Sequence, residues 1–487
     1  MFIFILMLVI FILGYTMIAL EHPMKVDKAA SALLTGTILW GLYALNSADI
    51  LALDLSPAWQ AVKGVSHDII EFIYPAVDGA RFDKLWENQA ELSYSVIHFV
   101  QHDLNHHLVD IAQILFFLAG AMTIVETVDQ HQGFKLITDK IKTTNKVKLL
   151  WILSVLTFFM SATLDNLTTT IVLVALLRKL IDDKKDRWFF ASMVVLAANA
   201  GGAWSPIGDV TTIMLWIGGQ VTTVNIITQL FLPSLVTMVV PLIIVSFTMK
   251  GEVKRPVLEN GEKYEFTSPF ERKLLLIMGV GALLFVPVFK TVTHMPPFVG
   301  MLFGLGVIWA TTEVIHRNKP IEDKRKLSVI SILRKVDMAT IFFFMGILLA
   351  VAALQSAGHL DVLSKYLDEK LHNIYAINLI IGALSAVVDN VPLVAGAMGM
   401  YPIMDAENVA MDPYLASFVV DGHFWEFLAY CAGTGGSMLI IGSAAGVAAM
   451  GLEKIDFIWY MKKISILALI GYLAGAGVYI LQIQFFG

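Results

Sequence analysis

The sequence predicts an all-α polytopic membrane protein made of two inverted-topology repeats, each with a re-entrant hairpin and a broken transmembrane helix. Three observations carry that prediction. Hydrophobic residues make up 57% of the 487 and charged residues 15%, with a mean hydropathy of +0.73, whereas a soluble domain carries about 25% charge. The pattern Ser-Ala-x-x-Asp-Asn occurs twice, at Ser161–Asn166 and Ser385–Asn390, each time at the centre of an apolar run. Lysine and arginine gather in a few loops, and their placement makes two apolar segments enter and leave on one side.

The first twenty residues lack a basic n-region and read as a first span rather than a cleaved signal peptide. Spans need about 20 apolar residues, and short loops rich in Lys and Arg stay in the cytoplasm. The basic loops are 135–148, 178–187, 250–273 and 316–335; the non-basic or acidic connections 48–107, 220–224, 293–297 and 402–421 are placed outside. Residues 149–177 have basic loops on both sides, which describes a hairpin from the cytoplasmic face with Asp165-Asn166 at its tip. Residues 374–401 are followed by a stretch without Lys or Arg, so the second hairpin enters from outside with Asp389-Asn390 at its tip. An ionised carboxylate near the bilayer centre costs about 2.5–3.5 kcal/mol on insertion scales, so two in matching positions mark a site. Irregular backbone at that depth is tolerated only inside protein or beside a watery cavity, and both tips are expected to face the interior.

Each hairpin is followed by a span broken by small residues. The first, 187–219, runs through Asn199-Ala200-Gly201-Gly202-Ala203-Trp204-Ser205-Pro206-Ile207-Gly208-Asp209; the second, 421–451, runs through Gly433-Thr434-Gly435-Gly436-Ser437-Met438-Leu439-Ile440-Ile441-Gly442-Ser443. Without gaps, Gly201, Gly202 and Gly208 fall on Gly435, Gly436 and Gly442. Glycine pairs and an interior proline break a helix and free backbone groups to meet an ion. Close helix packing explains one such run as well, but two in register, each after an Asp-Asn hairpin, favour the break. Val109-Asp110 and Val336-Asp337 open another matched pair of spans, carrying Phe116-Phe117 and Phe343-Phe344. The halves are then 1–249 and 273–487, joined by a cytoplasmic linker 250–272 and related by an axis in the membrane plane. This arrangement gives ten full crossings with both termini outside, and amphipathic stretches at 129–146 and 359–372 are expected to lie in the interface.

Asp165, Asn166, Asp389 and Asn390 at the tips, with Thr168, Ser205, Asp209, Thr211, Thr434 and Ser437 at or near the breaks, offer oxygen ligands and no positive charge. Such a set suits a hard cation, with Asp165 and Asp389 as its principal ligands, and repels an anion. Carboxylates also carry protons, and competition between cation and proton for one carboxylate is the simplest antiport mechanism. Glu126, near the inner end of the third span and opposite Ala353 in the second half, joins the candidate cation and proton site, although a solvated boundary carboxylate is an equal reading. Asp110 and Asp337 look like helix N-caps, and Glu426 like part of a partly solvated outer vestibule. His98, His102 and His106 recur every four residues beside His107; a wet amphipathic helix is a plainer account than a metal or pH-sensing face. The single Cys431 excludes an internal disulfide framework and reads as a small buried hydrophobe. The formal charge of −6 says little, because in a membrane protein placement outweighs the sum. Neither a catalytic residue, a resident cofactor nor a nucleic-acid partner is expected.

The run from Gly120 to Phe134 (GAMTIVETVDQHQGF), the two Asp-Asn tips, and the run from Asn199 to Thr212 (NAGGAWSPIGDVTT) resemble the signatures of the NhaD-type sodium/proton antiporters of the ion transporter superfamily. The resemblance covers about residues 108–451. Dicarboxylate carriers of that superfamily have Ser-Asn-Thr at the hairpin tips, where this chain has Asp-Asn. The resemblance implies exchange of Na⁺ or Li⁺ for H⁺, with Na⁺ at Asp165 and Asp389, a bacterial inner (plasma) membrane and a homodimer. The competing reading is an organic-acid or anion permease of the same fold, which a Ser-Asn-Thr tip or an intramembrane Arg would have favoured. A channel is opposed by an inverted re-entrant architecture, which suits alternating access.

Overall fold

A computed structural model describes residues 1–19, 21–62, 91–138, 140–256, 267–405, 409 and 412–486. The middle of the expected external segment 48–107 and part of the linker 250–272 lie outside the described residues. Among the described residues the regular structure is helical, with one isolated antiparallel bridge between Asn145 and Glu252. In chain order the longer helices are α1 (Phe2–Ala19), α2 (Lys28–Leu45), α3 (Glu91–Gln130), α4 (Lys146–Leu164), α5 (Asn166–Leu180) and α6 (Lys184–Ala203). There follow α7 (Val210–Ile217), α8 (Thr223–Thr248), α9 (Pro269–Thr293), α10 (Pro297–Ile315), α11 (Met338–Ser356) and α12 (His359–Lys370). The last are α13 (Ile374–Leu384), α14 (Asn390–Met400), α15 (His423–Gly435), α16 (Ala444–Glu453) and α17 (Ser465–Phe486).

By length and composition eight of the described helices can cross a membrane: α2, the part of α3 from His98, α4, α8, α9, α10 with its extension to Asn318, α11 and α17. The protein is a multi-pass membrane protein. The expected ten crossings also count Phe2–Ile18 and the two interrupted segments, and leave out α4. At 19 residues α4 is itself long enough to cross, unlike α13 and α14 at 11 residues each. Of the expected interfacial stretches, 359–372 is largely α12, with Val362, Leu363 and Tyr366 exposed. Among its described residues the stretch 129–146 holds the single turn Lys135–Thr138 between helix ends. Asp110, expected as a cap, lies inside α3, because that helix begins nineteen residues earlier, at Glu91.

The chain forms two compact units. The first comprises residues 1–115, 338–372 and 395–402. In it α2 packs against α1 and α11, and Asp27 starts α2 by accepting from Ala29 N at 2.7 Å. The Trp40 indole donates to Leu349 O at 2.9 Å.

The second unit, residues 116–337, 373–394 and 403–487, holds both Asp-Asn tips and both breaks. Its two helix pairs make the same local contacts. Ser161, one turn before the first tip, donates to Ala198 O at 2.6 Å, and Ser385 donates to Ala432 O at 3.0 Å. A Cβ on Gly201 would run into the Phe158 carbonyl of α4, and one on Gly435 into the Gly382 carbonyl of α13. These glycines let each broken helix lie directly on the helix that leads into its tip, α4 or α13. The tips themselves differ. Asp165 alone separates α4 from α5, with φ 78° and ψ 160°, a region that is essentially glycine's. The second turn spreads over Ser385–Asp389 and has no residue at positive φ.

Candidate functional site

Two helices of the second unit restart in mid-segment, and each restart needs a cap for its unpaired amides. Asp209 caps α7 by accepting from Thr211 N at 3.0 Å, while Thr212 Oγ1 accepts from Asp209 N at 3.3 Å. Ser443, which stands at the register position of Asp209, caps α16 by accepting from Gly446 N at 3.1 Å. The helix N-termini that the breaks create therefore aim at one carboxylate and one hydroxyl.

The tip asparagines converge on Asp209. Asn166 Nδ2 donates to its Oδ2 at 2.6 Å, and Asn390 Nδ2 reaches both oxygens at 3.4 Å. Thr211 Oγ1 adds a bond to Oδ1 at 3.0 Å. Asp209 is 1% exposed, Asn166 3% and Asn390 4%, so a carboxylate is held away from solvent by amide and hydroxyl donors. Asn166 Nδ2 also donates to Asn199 Oδ1 at 3.1 Å, and Asn199 Nδ2 donates to Ser437 Oγ and Ser443 Oγ, both at 2.9 Å. Asn199, fully buried on α6, thus links the first tip to the second break.

The other expected residues take outer places. Asp165 Oδ1 accepts from Thr168 N at 2.7 Å and Oδ2 from Thr168 Oγ1 at 2.8 Å, which starts α5. Asp165 also opens on a narrow cavity walled by Phe117, Leu118, Ala121 and Met122 of α3, Leu283 of α9 and Met301 of α10. Asp389 Oδ1 accepts from Val391 N at 3.5 Å, and both tip aspartates are half-buried. Ser205 donates to Ala162 O at 2.5 Å, fastening the first break to the first tip, and Thr434 donates to Tyr430 O at 2.6 Å within its own helix. Glu126 stands apart from these contacts: it accepts from Gln130 Nε2 at 2.9 Å and faces Asp129 and Lys335.

Glu426, expected in a solvated vestibule, is 2% exposed and accepts from Tyr479 Oη at 2.6 Å and from the Asn225 amide. The correction follows from α8 and α17 packing over α15. The histidine repeat lies on α3, where His107 is 3.9 Å from Asp103 and His106 3.7 Å from Asp110. Among the described residues no group of three or more His, Cys, Asp or Glu is placed to hold a metal ion.

The family model for citrate transporters (CitMHS) matches residues 6–420. Sodium/proton antiporter 1 of Arabidopsis thaliana is 49% identical over 378 residues, 78% of this chain and 63% of the relative, so the chain spans less than two thirds of that protein. Sodium/proton antiporter 2 of the same plant is 46% identical over 390 residues, 79% of this chain and 88% of the relative. The Na⁺/H⁺ antiporter NhaD of Alkalimonas amylolytica is 30% identical over 401 residues, 77% and 78% of the two chains. The chain belongs to the citrate transporter family, among the NhaD-type sodium/proton antiporters. In this NhaD-type chain two contributors escaped the sequence reading, Asn199 and Ser443. Both flank the Gly-rich breaks, and the register that pairs Ser443 with Asp209 was the signal that pointed to it.

Proposed function

We propose that the chain is a secondary active transporter exchanging Na⁺ or Li⁺ for H⁺, with cation and proton competing for the buried Asp209 and the half-buried tip carboxylates Asp165 and Asp389. One observation carries the reading. The asparagines of both tips turn their amides onto a single buried carboxylate, and among the described residues no lysine or arginine hydrogen-bonds to Asp209, Asn166, Asn199 or Asn390. Amide donors orient a carboxylate without cancelling its charge, so a bound proton or cation has to do so. Either occupant makes the site cheap to carry across a low-dielectric core, and the empty, charged site stays put. Obligatory exchange follows. Asp209 takes the centre of this scheme, with Thr211 bonded to it, Ser437 joined to it through Asn199 and Asn166, and the tip aspartates adding negative charge nearby; Thr434 stands further out.

In this reading the halves 1–249 and 273–487, joined by the linker 250–272, are inverted repeats, and α4–α5 and α13–α14 are their re-entrant hairpins. The duplicated serine and glycine contacts of the two breaks support that arrangement. We place the protein in a bacterial inner membrane as a homodimer, the setting the NhaD resemblance implies.

The description of the matching family model favours a second reading, an organic-anion permease. A citrate-like anion would meet Asp209 without a cationic partner, which opposes it. Inverted membrane vesicles with a preformed proton gradient separate the two. Na⁺ and Li⁺ should collapse the gradient while K⁺ and citrate leave it standing. A response to citrate with none to Na⁺ would replace exchange by the permease reading.

A further inference from the structure

Away from the ion site, the second unit holds a pair of buried imidazoles that the exchange mechanism does not use. His131 follows the last turn of α3 and His316 the last turn of α10, 0% and 2% exposed. Their Nε2 atoms are 3.2 Å apart, with ring planes at 8° and centroids 5.0 Å apart, so the rings meet through their nitrogen edges. His131 Nδ1 lies 2.6 Å from Thr127 O. A carbonyl only accepts, so Nδ1 of His131 carries a proton. A neutral His131 then presents a bare Nε2, and His316 has to donate its own Nε2–H to it. Geometry thus fixes both tautomers. One added proton still leaves a single N–H···N bond; a second makes both Nε2 atoms donors facing each other.

The charged groups around the pair are Glu271 at the start of α9 and Lys319 and Lys324 beyond α10. Glu271 already accepts from Lys319 Nζ and Ser268 N at 2.8 and 2.9 Å, and both lysines oppose an added positive charge. Burial holds His131 below the ordinary imidazole range, although the Thr127 carbonyl and Glu271 pull the other way. The helices that meet here, α3, α9 and α10, are the ones that wall the cavity at Asp165, and α3 and α10 touch again where Gly120 packs on Met301.

We infer that His131 and His316 form a proton-binding site separate from the ion site, which ties α3 to α10 while neutral and releases them on acidification. The link to transport rests on the exchange reading; the proton site does not. The sign follows from linkage. An imidazole whose affinity for protons is lowered in the tied state stabilises that state at neutral and alkaline pH, and the stabilisation is lost as pH falls. Acid therefore loosens the walls of the Asp165 cavity from one end.

The test uses the full chain in two ways. Exchange is measured in vesicles for the unsubstituted protein, for H131Q/H316Q, whose amides keep a hydrogen bond that does not titrate, and for His316→Ala, which cannot make one. At about pH 6 the double variant should run at least about threefold faster than the unsubstituted protein, and at about pH 8.5 the two should agree within about twofold. His316→Ala should lose its rate at the alkaline end. Superimposable normalised profiles for all three proteins would overturn the switch. Separately, ¹⁵N NMR of histidine-labelled protein at about pH 8 should show His131 protonated at Nδ1 and His316 at Nε2. The reverse tautomers, or two fully protonated rings, would overturn the site itself. The expected tautomers in a protein that never exchanges Na⁺ for H⁺ would sustain the proton site and defeat the exchange reading instead.

Discussion

Replacing Asn199 by alanine should test the bridge between the first tip and the second break. Its amide makes three hydrogen bonds, at 3.1, 2.9 and 2.9 Å, with the side chain fully buried. A buried neutral hydrogen bond contributes about 0.5–1.5 kcal/mol net, so three of them bound the loss between about 1.5 and 4.5 kcal/mol. The lower part of that range applies, because Asn166 keeps its bond to Asp209 and Ser443 keeps its bond from Gly446. A loss of about 2 kcal/mol, expressed wholly at the ion site, raises the half-maximal Na⁺ concentration about 30-fold. The assay is a Na⁺ titration of proton-gradient collapse in inverted vesicles, at matched amounts of inserted protein. Asn199→Asp is the companion variant. It keeps oxygens for Asn166 and for hydroxyl donation by Ser437 and Ser443, but sets a second carboxylate on the donor that Asp209 uses. It should insert as well as the unsubstituted protein and still bind Na⁺ differently. A half-maximal Na⁺ concentration for Asn199→Ala within about threefold of the original would refute the bridge as part of the ion site.

Asp209→Asn turns an amide toward the donors Asn166, Asn390 and Thr211 in any orientation, so it should abolish Na⁺-dependent proton movement; a variant with the original rate would move the site elsewhere. Asp165→Asn and Asp389→Asn should each reduce that movement severely in protein that still inserts, and an unchanged rate and affinity in either would remove that carboxylate from the site. Cysteines at Lys142 and Lys184, on a Cys431→Ala background, should both label from the cytoplasm, and cysteines at Asn373 and Asp405 both from outside. Labelling of either pair from opposite faces would bring down the hairpin and the inverted repeat with it. Glu453, whose side chain is 2% exposed, holds Arg178 and Arg187 at 2.6 and 3.0 Å. Glu453→Gln should cost about 2 kcal/mol, less than the about 3–5 of a fully buried pair because Arg178 is half exposed, and a melting curve in detergent that does not move would count against it.

What the sequence disclosed was where helices stop. Paired glycines, Pro206 and the Asp-Asn doublets are local signals, and the breaks fall where they stand. Which side chains turn inward at a break is decided by rotation about the helix axis, and that depends on packing. Asp209 was expected beside the tips, yet both tip asparagines meet on it, while the tip aspartates cap their own helices or stay near the rim. Asn199 was inconspicuous because its partners, Ser437 and Ser443, are more than two hundred residues away. The contact of His131 with His316 was hidden for the same reason. Glu426 misled because its place near a helix start resembles that of an exposed residue, and only α8 and α17 reveal its burial.

The backbone at Asp165 has a consequence for how this protein ages under mutation. A non-glycine residue in that region carries about 1–3 kcal/mol of strain. Glycine would relieve it, and as an N-cap glycine falls only a few tenths of a kcal/mol short of aspartate. Asp165→Gly is therefore expected to melt no lower than the original while losing the tip carboxylate. Selection for stability alone would erase this residue; the exchange reading supplies the counterweight, a need for charge at that point.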